Sequence, residues 1–261
     1  MLTDVRSTTP TALFLFAHQD DEFGIFQKIV DELNAGNQVC CAYLTDGCCR
    51  NVSAERRNNE SLAVLGKLGV GAQDIFFAGT ALSIPDGALA THLDRAADWI
   101  QSWLSNYPRI RSIHVPAWEG GHPDHDALHA ITAIIALKNG ILPLARQFSL
   151  YNGYLCAGPL FRVLSPLHSN GPSESRRIPW PNRVRFLRHC LSYSSQKQAW
   201  LGLFPFVLLH YFRNGMQTTQ PVSIERIRQR PHAGPLYYER RKFLTWEKMA
   251  SLLSKRSEKV E

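Results

Sequence analysis

The sequence predicts a Rossmann-like three-layer α/β/α fold around a mainly parallel sheet. Short apolar runs of strand length alternate with stretches of helical period along residues 13–137. Turn signals separate them, among them Ala35-Gly36-Asn37, Thr45-Asp46-Gly47 and Gly69-Val70-Gly71. Strands that alternate with helices are joined by crossovers, which leaves neighbouring strands parallel and helices outside the sheet.

The first strand is the apolar run Leu13 to Phe16, which stops at Ala17. A polar turn follows (His18, Gln19, Asp20, Asp21, Glu22), and apolar periodicity from Phe23 to Val30 marks a helix reaching about Asn34. Gln38–Leu44 reads as the second strand, followed by a polar loop through Arg50, Asn51 and Ser53. Glu55–Leu68 is helical, with Leu62, Leu65 and Leu68 on its apolar face. Asp74–Phe77 is a third strand, and the loop 79–87 holds Pro85-Asp86-Gly87. A helix over Leu93–Leu104 leads to a fourth strand, Ile110–Val115. That strand ends in a second polar cluster, Gly120 to Asp126, at the start of a helix from about His125 to Leu137.

The pattern weakens beyond Gln147. Phe148–Tyr154 reads as a strand, Ser165–Asn182 as an exposed loop, and Val184–Trp200 as a helix basic on one face. Pro221–Pro235 is irregular, Leu236–Leu253 reads as a terminal helix, and the tail after Lys255 is expected to fray. Residues 1–200 are expected to form one domain, with 201–261 a C-terminal extension packed on it.

Composition narrows the function classes. Hydrophobic residues make up 44% of the 261 and charged residues 20%, which suits a soluble globular protein with a full core. The net charge is +7, with the excess late in the chain, from Arg176 to Arg188 and from Arg226 to Lys242. A basic surface suits phosphate or an anionic membrane face. Without an RNA-reading or helix-turn-helix signature, nucleic acid is not expected. The six cysteines include the pairs Cys40/Cys41 and Cys48/Cys49, which lack zinc-ribbon spacing. The opening MLTDVRSTTPT does not read as a secretory signal, so reduced thiols and a cytoplasmic location are expected. No stretch approaches the ~20 apolar residues of a membrane span. The nearest, Ala199–Phe212, reads either as a buried core element or as a surface touching lipid or a partner.

The two polar clusters carry the chemistry. Ligands of open α/β sheets bind beyond the carboxyl ends of the strands, where both clusters sit. His18 and Asp21 are three residues apart, so a helical turn sets them on one face, and His125 could add a third ligand. Catalytic zinc typically takes three such protein ligands and keeps one position open. Asp20, beside the ligands, is then free to act as general base, and His122 could face a developing oxyanion. Together these residues describe metal-assisted hydrolysis of an amide. A competing reading takes His125-Asp126-Ala127-Leu128-His129 as a protease-like zinc motif, but it leaves His18 and Asp21 idle. Trp118 and Glu119 could line a sugar pocket, and His232 could reach the site or bind a phosphate.

The residues Ala17-His18-Gln19-Asp20-Asp21-Glu22 and Gly121-His122-Pro123-Asp124-His125 resemble the two signatures of the LmbE-like/PIG-L de-N-acetylases. Thr45-Asp46-Gly47, Arg57 with Glu60, Pro85-Asp86-Gly87 and Ser195-Gln196 are supporting features, and the resemblance covers about residues 12–200. It implies a zinc hydrolase (with Fe2+ as the alternative ion) that deacetylates an N-acetylated amino sugar, within a glycoconjugate or a lipid-linked or polysaccharide precursor. It implies His18, Asp21 and His125 as metal ligands and Asp20 as base and acid. His122 would stabilise the tetrahedral intermediate, oriented by Asp124, and Arg57 and Asp86 would hold sugar hydroxyls. A site at the inner face of the cytoplasmic membrane would suit the basic, aromatic last third. Gln19 replaces the family proline, and no tyrosine stands near the second motif, where Gly120 and Gly121 lie. Two rivals remain: an inactive member that binds a sugar or a partner, marked by Gln19, and an amidase of a glycosyl-thiol molecule.

Overall fold

The computed structural model describes residues 9–48 and 52–257. Cys49, Arg50 and Asn51 lie outside the described residues, as do residues 1–8 and the last four of the tail. The elements in chain order are β1 (Thr11–Phe16), α1 (Phe26–Asn34), β2 (Gln38–Tyr43), α2 (Ala54–Leu68), β3 (Ile75–Phe76), α3 (Ala78–Ala81), α4 (Leu93–Leu104), β4 (Ile110–Pro116) and α5 (Pro123–Lys138). There follow β5 (Ala145–Phe148), β6 (Tyr151–Asn152), β7 (Arg162–Val163), β8 (Glu174–Arg177), α6 (Trp180–Cys190), α7 (Lys197–Arg213), β9 (Met216–Pro221), α8 (Tyr237–Arg240) and α9 (Trp246–Ser257).

Seven strands form one sheet in the order β3-β2-β1-β4-β5-β9-β8, and β6 and β7 form a separate ribbon. The first five are parallel; β9 runs antiparallel to β5, and β8 antiparallel to β9. Strand β1 is buried on both faces, as its unbroken apolar run requires. Leu13 and Leu15 belong to one apolar core, with α4 and α5, while Phe14 and Phe16 belong to the other, with α1 and α6. Side chains alternate across a strand, so these two sets are the two faces of the sheet. The strand order reverses between β1 and β4, the topological switch point, and both histidine motifs leave the sheet there.

Four expectations need correction. The expected loop 165–182 contains the edge strand β8, and β9 was not foreseen. Expected helix 184–200 is two elements, because α6 ends at Cys190 and α7 starts at Lys197. Between them Ser194 Oγ and the Ser195 N–H and Oγ donate to Glu60 (2.8, 2.9 and 2.5 Å), which draws the chain out of the helix. Expected helix 236–253 divides into α8 and α9, because Glu239 accepts the Trp246 N–H (2.9 Å) and Lys242 has φ 58°. Phe148–Tyr154 likewise divides into the end of β5 and β6. Beyond residue 200, β9 sits inside the main sheet, and Met249 and Leu253 of α9 are buried in the core on the α5 side. Cys40, Cys41, Cys156 and Cys190 form no disulfide.

Candidate active site at the switch point

Each motif is shaped by its own backbone. After β1 the Asp21 carboxylate accepts the N–H groups of Ala17 (3.0 Å) and His18 (2.8 Å), which folds the turn back on itself. Asp20 has φ 126°, a conformation a non-glycine residue rarely adopts. Its N–H donates to the buried Glu22 carboxylate (3.0 Å). After β4, His122 is the N-cap of α5, with Nδ1 accepting the Asp124 N–H (3.2 Å) and Pro123 opening the helix. The preceding loop is held by Asp126, which accepts the N–H groups of Glu119 and Gly120 at 3.2 Å each. Gly121 lets the Tyr151 backbone pass: a Cβ there would lie 2.0 Å from the Tyr151 carbonyl oxygen.

The two loops converge. His18 Nδ1 lies 3.2 Å from His125 Nε2, His125 Nε2 lies 3.0 Å from Asp21 Oδ1, and Asp21 Oδ2 lies 3.5 Å from His18 Nδ1. Two sets of donor atoms lie within 4.8 Å of one another, His18–His122–His125 and His18–Asp86–Asp124. Asp21 falls in neither set, yet the pairwise distances put it with His18 and His125. Ligands about 2.0–2.1 Å from a tetrahedral ion stand roughly 3.3 Å apart, which is close to the spacing within that trio.

Charge also suits a divalent ion. Burial alone would lower the His18 pKa, but Asp86, Asp21 and Asp124 outweigh it and hold it well above the ordinary range. Burial works against ionised Asp21, yet His125 and His18 keep it well below the usual carboxylate range. These carboxylates call for positive charge between them, which a cation would supply. Burial, reinforced by His18, takes His122 down to about 4, so it is a neutral imidazole. Burial lifts the Asp20 carboxyl to about 7, against the pull of Arg57.

Arg57 assembles the rest. It is 2% exposed and reaches the site from α2. One Nη donates to the Gly47 carbonyl oxygen (2.8 Å) and Asp86 (3.3 Å). The other donates to the Gln19 carbonyl oxygen (2.5 Å) and Asp20 (3.2 Å). Asp86 also lies 3.3 Å from His18 Nε2. Sequence reasoning named all of these residues, but not that Arg57 binds Asp20 and Asp86 together.

Residues 13–136 match the family model described as PIG-L: GlcNAc-PI de-N-acetylase. That segment, just under half of the chain, is similar to the PIG-L (LmbE-like) family. No curated protein sequence matches the chain. Among solved structures, it is similar to the zinc-inhibited form of teicoplanin deacetylase Orf2, with a TM-score of 0.62 at 16% identity over 82% of this chain and 98% of that one. Dbv21, the A40926 pseudoaglycone deacetylase, gives 0.57 at 19% identity over 87% and 100%. The N,N'-diacetylchitobiose deacetylase of Pyrococcus horikoshii gives 0.55 at 15% identity over 82% and 83%. At such identities the likeness is one of fold.

The PIG-L segment holds His18, Asp20, Asp21, Arg57, Asp86, His122, Asp124 and His125, but two residues at the site lie beyond it. Trp200 of α7 donates its Nε1–H to Asp20 Oδ2 (3.1 Å). Its signal in the sequence was only a tryptophan in an apolar run. Replacing Trp200 by Phe keeps a ring against Phe23 and Tyr193 but removes a donor from the carboxylate. The expected result is a roughly tenfold lower kcat, the worth of one charged hydrogen bond, with the melting temperature little changed. Tyr151 sets its ring against His125 (centroids 5.6 Å apart), so a tyrosine does stand at the site, brought by the segment after β5 rather than by the second motif.

Other expectations are corrected by the fold. The Asp124 carboxylate does not chiefly orient His122, whose Nδ1 is 4.0 Å from it. It accepts from the Gly87 (2.6 Å) and Leu89 (3.0 Å) N–H groups and lies 3.1 Å from His18 Nε2, which turns His18 Nδ1 toward His125. Trp118 lines no sugar pocket: it is fully buried, donates to the Gln229 carbonyl oxygen (3.0 Å) and packs on Trp246. Glu119 is also buried, accepting the Leu150 and Tyr151 N–H groups (2.7 and 3.0 Å). His129 donates to the Pro116 carbonyl oxygen (2.9 Å) in the core and cannot pair with His125 on an ion. His232 packs on Tyr154 and belongs to neither donor set. Gln19 is 1% exposed and donates to Asn58 Oδ1 (2.7 Å), so its amide ties the turn to α2, where the family proline would stiffen it.

Proposed function

We propose that the chain is a metal-dependent hydrolase that removes the N-acetyl group from an N-acetylated amino sugar. The observation carrying this reading is the convergence of His18, Asp21 and His125 with Asp20 beside them. The PIG-L match and the deacetylases of the same fold support the amide and sugar chemistry. His18, Asp21 and His125 would hold the ion, zinc or Fe2+, which supplies Lewis acidity to the amide carbonyl.

Asp20 takes a proton from the attacking water as the water oxygen bonds to the carbonyl carbon. It returns that proton to the nitrogen as the C–N bond breaks, leaving acetate and a free amine. Trp200 and Arg57 hold the Asp20 carboxylate in place for both transfers. His122 keeps Nδ1 on the Asp124 N–H, so Nε2–H is its donor toward the developing oxyanion. Asp86, the more open partner of the Arg57 pair, meets a sugar hydroxyl, and Arg57 fixes its direction.

Acetate release from N-acetylglucosamine-containing substrates, followed with and without chelator, tests this. Turnover is expected to fall to background on chelation and to return with added zinc or ferrous ion. Turnover indifferent to chelation contradicts the metal role, and a metal-loaded protein that binds glycan without releasing acetate favours a binding module.

A further inference from the structure

Helix α7 is apolar on two faces, and the fold covers only one. Trp200, Val207 and Tyr211 are buried. On the other side Leu201, Leu209 and Phe212 are 81%, 53% and 61% exposed, with Pro205 exposed between them. Positions 201, 205, 209 and 212 are four, four and three residues apart, one stripe along the helix. Trp180, half exposed at the start of α6, sets its ring on Phe212 (5.8 Å) and widens the patch. A helix apolar all round is normally covered by something.

The charges of this stretch of chain are of one sign. From Ser175 to Ile224 the chain has seven Lys and Arg residues and no Asp or Glu. Exposed Lys197 and Arg213 stand at the two ends of α7, and exposed Arg188 stands on α6. No helix among the described residues is long and apolar enough to cross a membrane. Leucines and phenylalanines, a tryptophan at the edge and basic residues around them are the composition of a helix lying in a lipid–water interface.

We infer that this face of α7, with Trp180, docks on an anionic lipid surface. The same helix reaches the site from its inner side. Trp200 holds Asp20, and Phe206 packs on Phe161 (5.1 Å), which touches Tyr151 beside His125. Docking therefore brings the helix that holds Asp20 to the lipid surface. The docking does not rest on the deacetylase reading, since it is measured without turnover.

The test is co-sedimentation of the full chain with large vesicles. Phosphatidylcholine containing about 30 mol % phosphatidylglycerol is expected to bind about tenfold more tightly than phosphatidylcholine alone. About 0.5 M NaCl should weaken that binding. Leu209→Ser with Phe212→Ser should lower partitioning about tenfold. The same double variant should leave turnover of a small soluble N-acetylated sugar unchanged. Equal binding to both vesicle types, or a double variant that still partitions like the parent, overturns the inference. So does a dimer in ultracentrifugation that the double variant dissociates, which would assign the face to a second copy.

Discussion

Replacing Asp20 by Asn is expected to lower kcat on the order of 10²–10⁴-fold, the usual contribution of a positioned acid–base group. The change keeps the shape of a side chain that Trp200 and Arg57 grip from two sides. Asp20 is not among the His18, Asp21 and His125 atoms that converge, so metal content should be unaffected. Asp21→Asn is the contrasting variant, because its carboxylate is part of that trio and also closes the first turn. It should lose metal and turnover together. Metal analysis beside kinetics separates the two; loss of metal from the Asp20 variant would show that base and ligand have been exchanged in the reading above.

Gly121→Ala is expected to be the most damaging of the conservative changes. Its Cβ would lie 2.0 Å from the Tyr151 carbonyl oxygen, and backbone cannot swing aside as a long side chain can. Overpacking of this kind costs about 3 kcal/mol or more. For a chain of this size that lowers the melting temperature by roughly 5–12 °C. The displaced segments also carry His122 and Tyr151, so turnover should fall as well. Gly66→Ala is the control: a Cβ there meets nothing within 4 Å in the last turn of α2. It should hold or raise stability by about 1 kcal/mol. Thermal melts of the two variants side by side decide it.

The first half of the fold was legible because each parallel strand is an apolar run closed by a turn. Strands β8 and β9 were not, and the reason is local. Glu174–Arg177 is a fully exposed edge with no apolar alternation, and Met216–Pro221 is mostly polar, half-buried and held by pairing with β5. The convergence of His18, Asp21 and His125 was legible because His18 with Asp21, and His122 with His125, each sit within one turn at a strand end. Trp200 was not, since its bond to Asp20 spans 180 residues and no short-range pattern marks it. The same holds for Trp118, which reads as a candidate sugar platform by sequence position but is drawn into the core by Trp246 and the Gln229 carbonyl.

The backbone of Asp20, at φ 126°, sets protein evolution at odds with itself at this one position. Glycine would adopt that conformation freely, and would also remove a carboxylate buried against its preference. The expected relief of backbone strain is on the order of 1 kcal/mol or more. A lineage or library selected only for hardiness would drift toward glycine at position 20. On the deacetylase reading, an aspartate at that position serves turnover rather than folding.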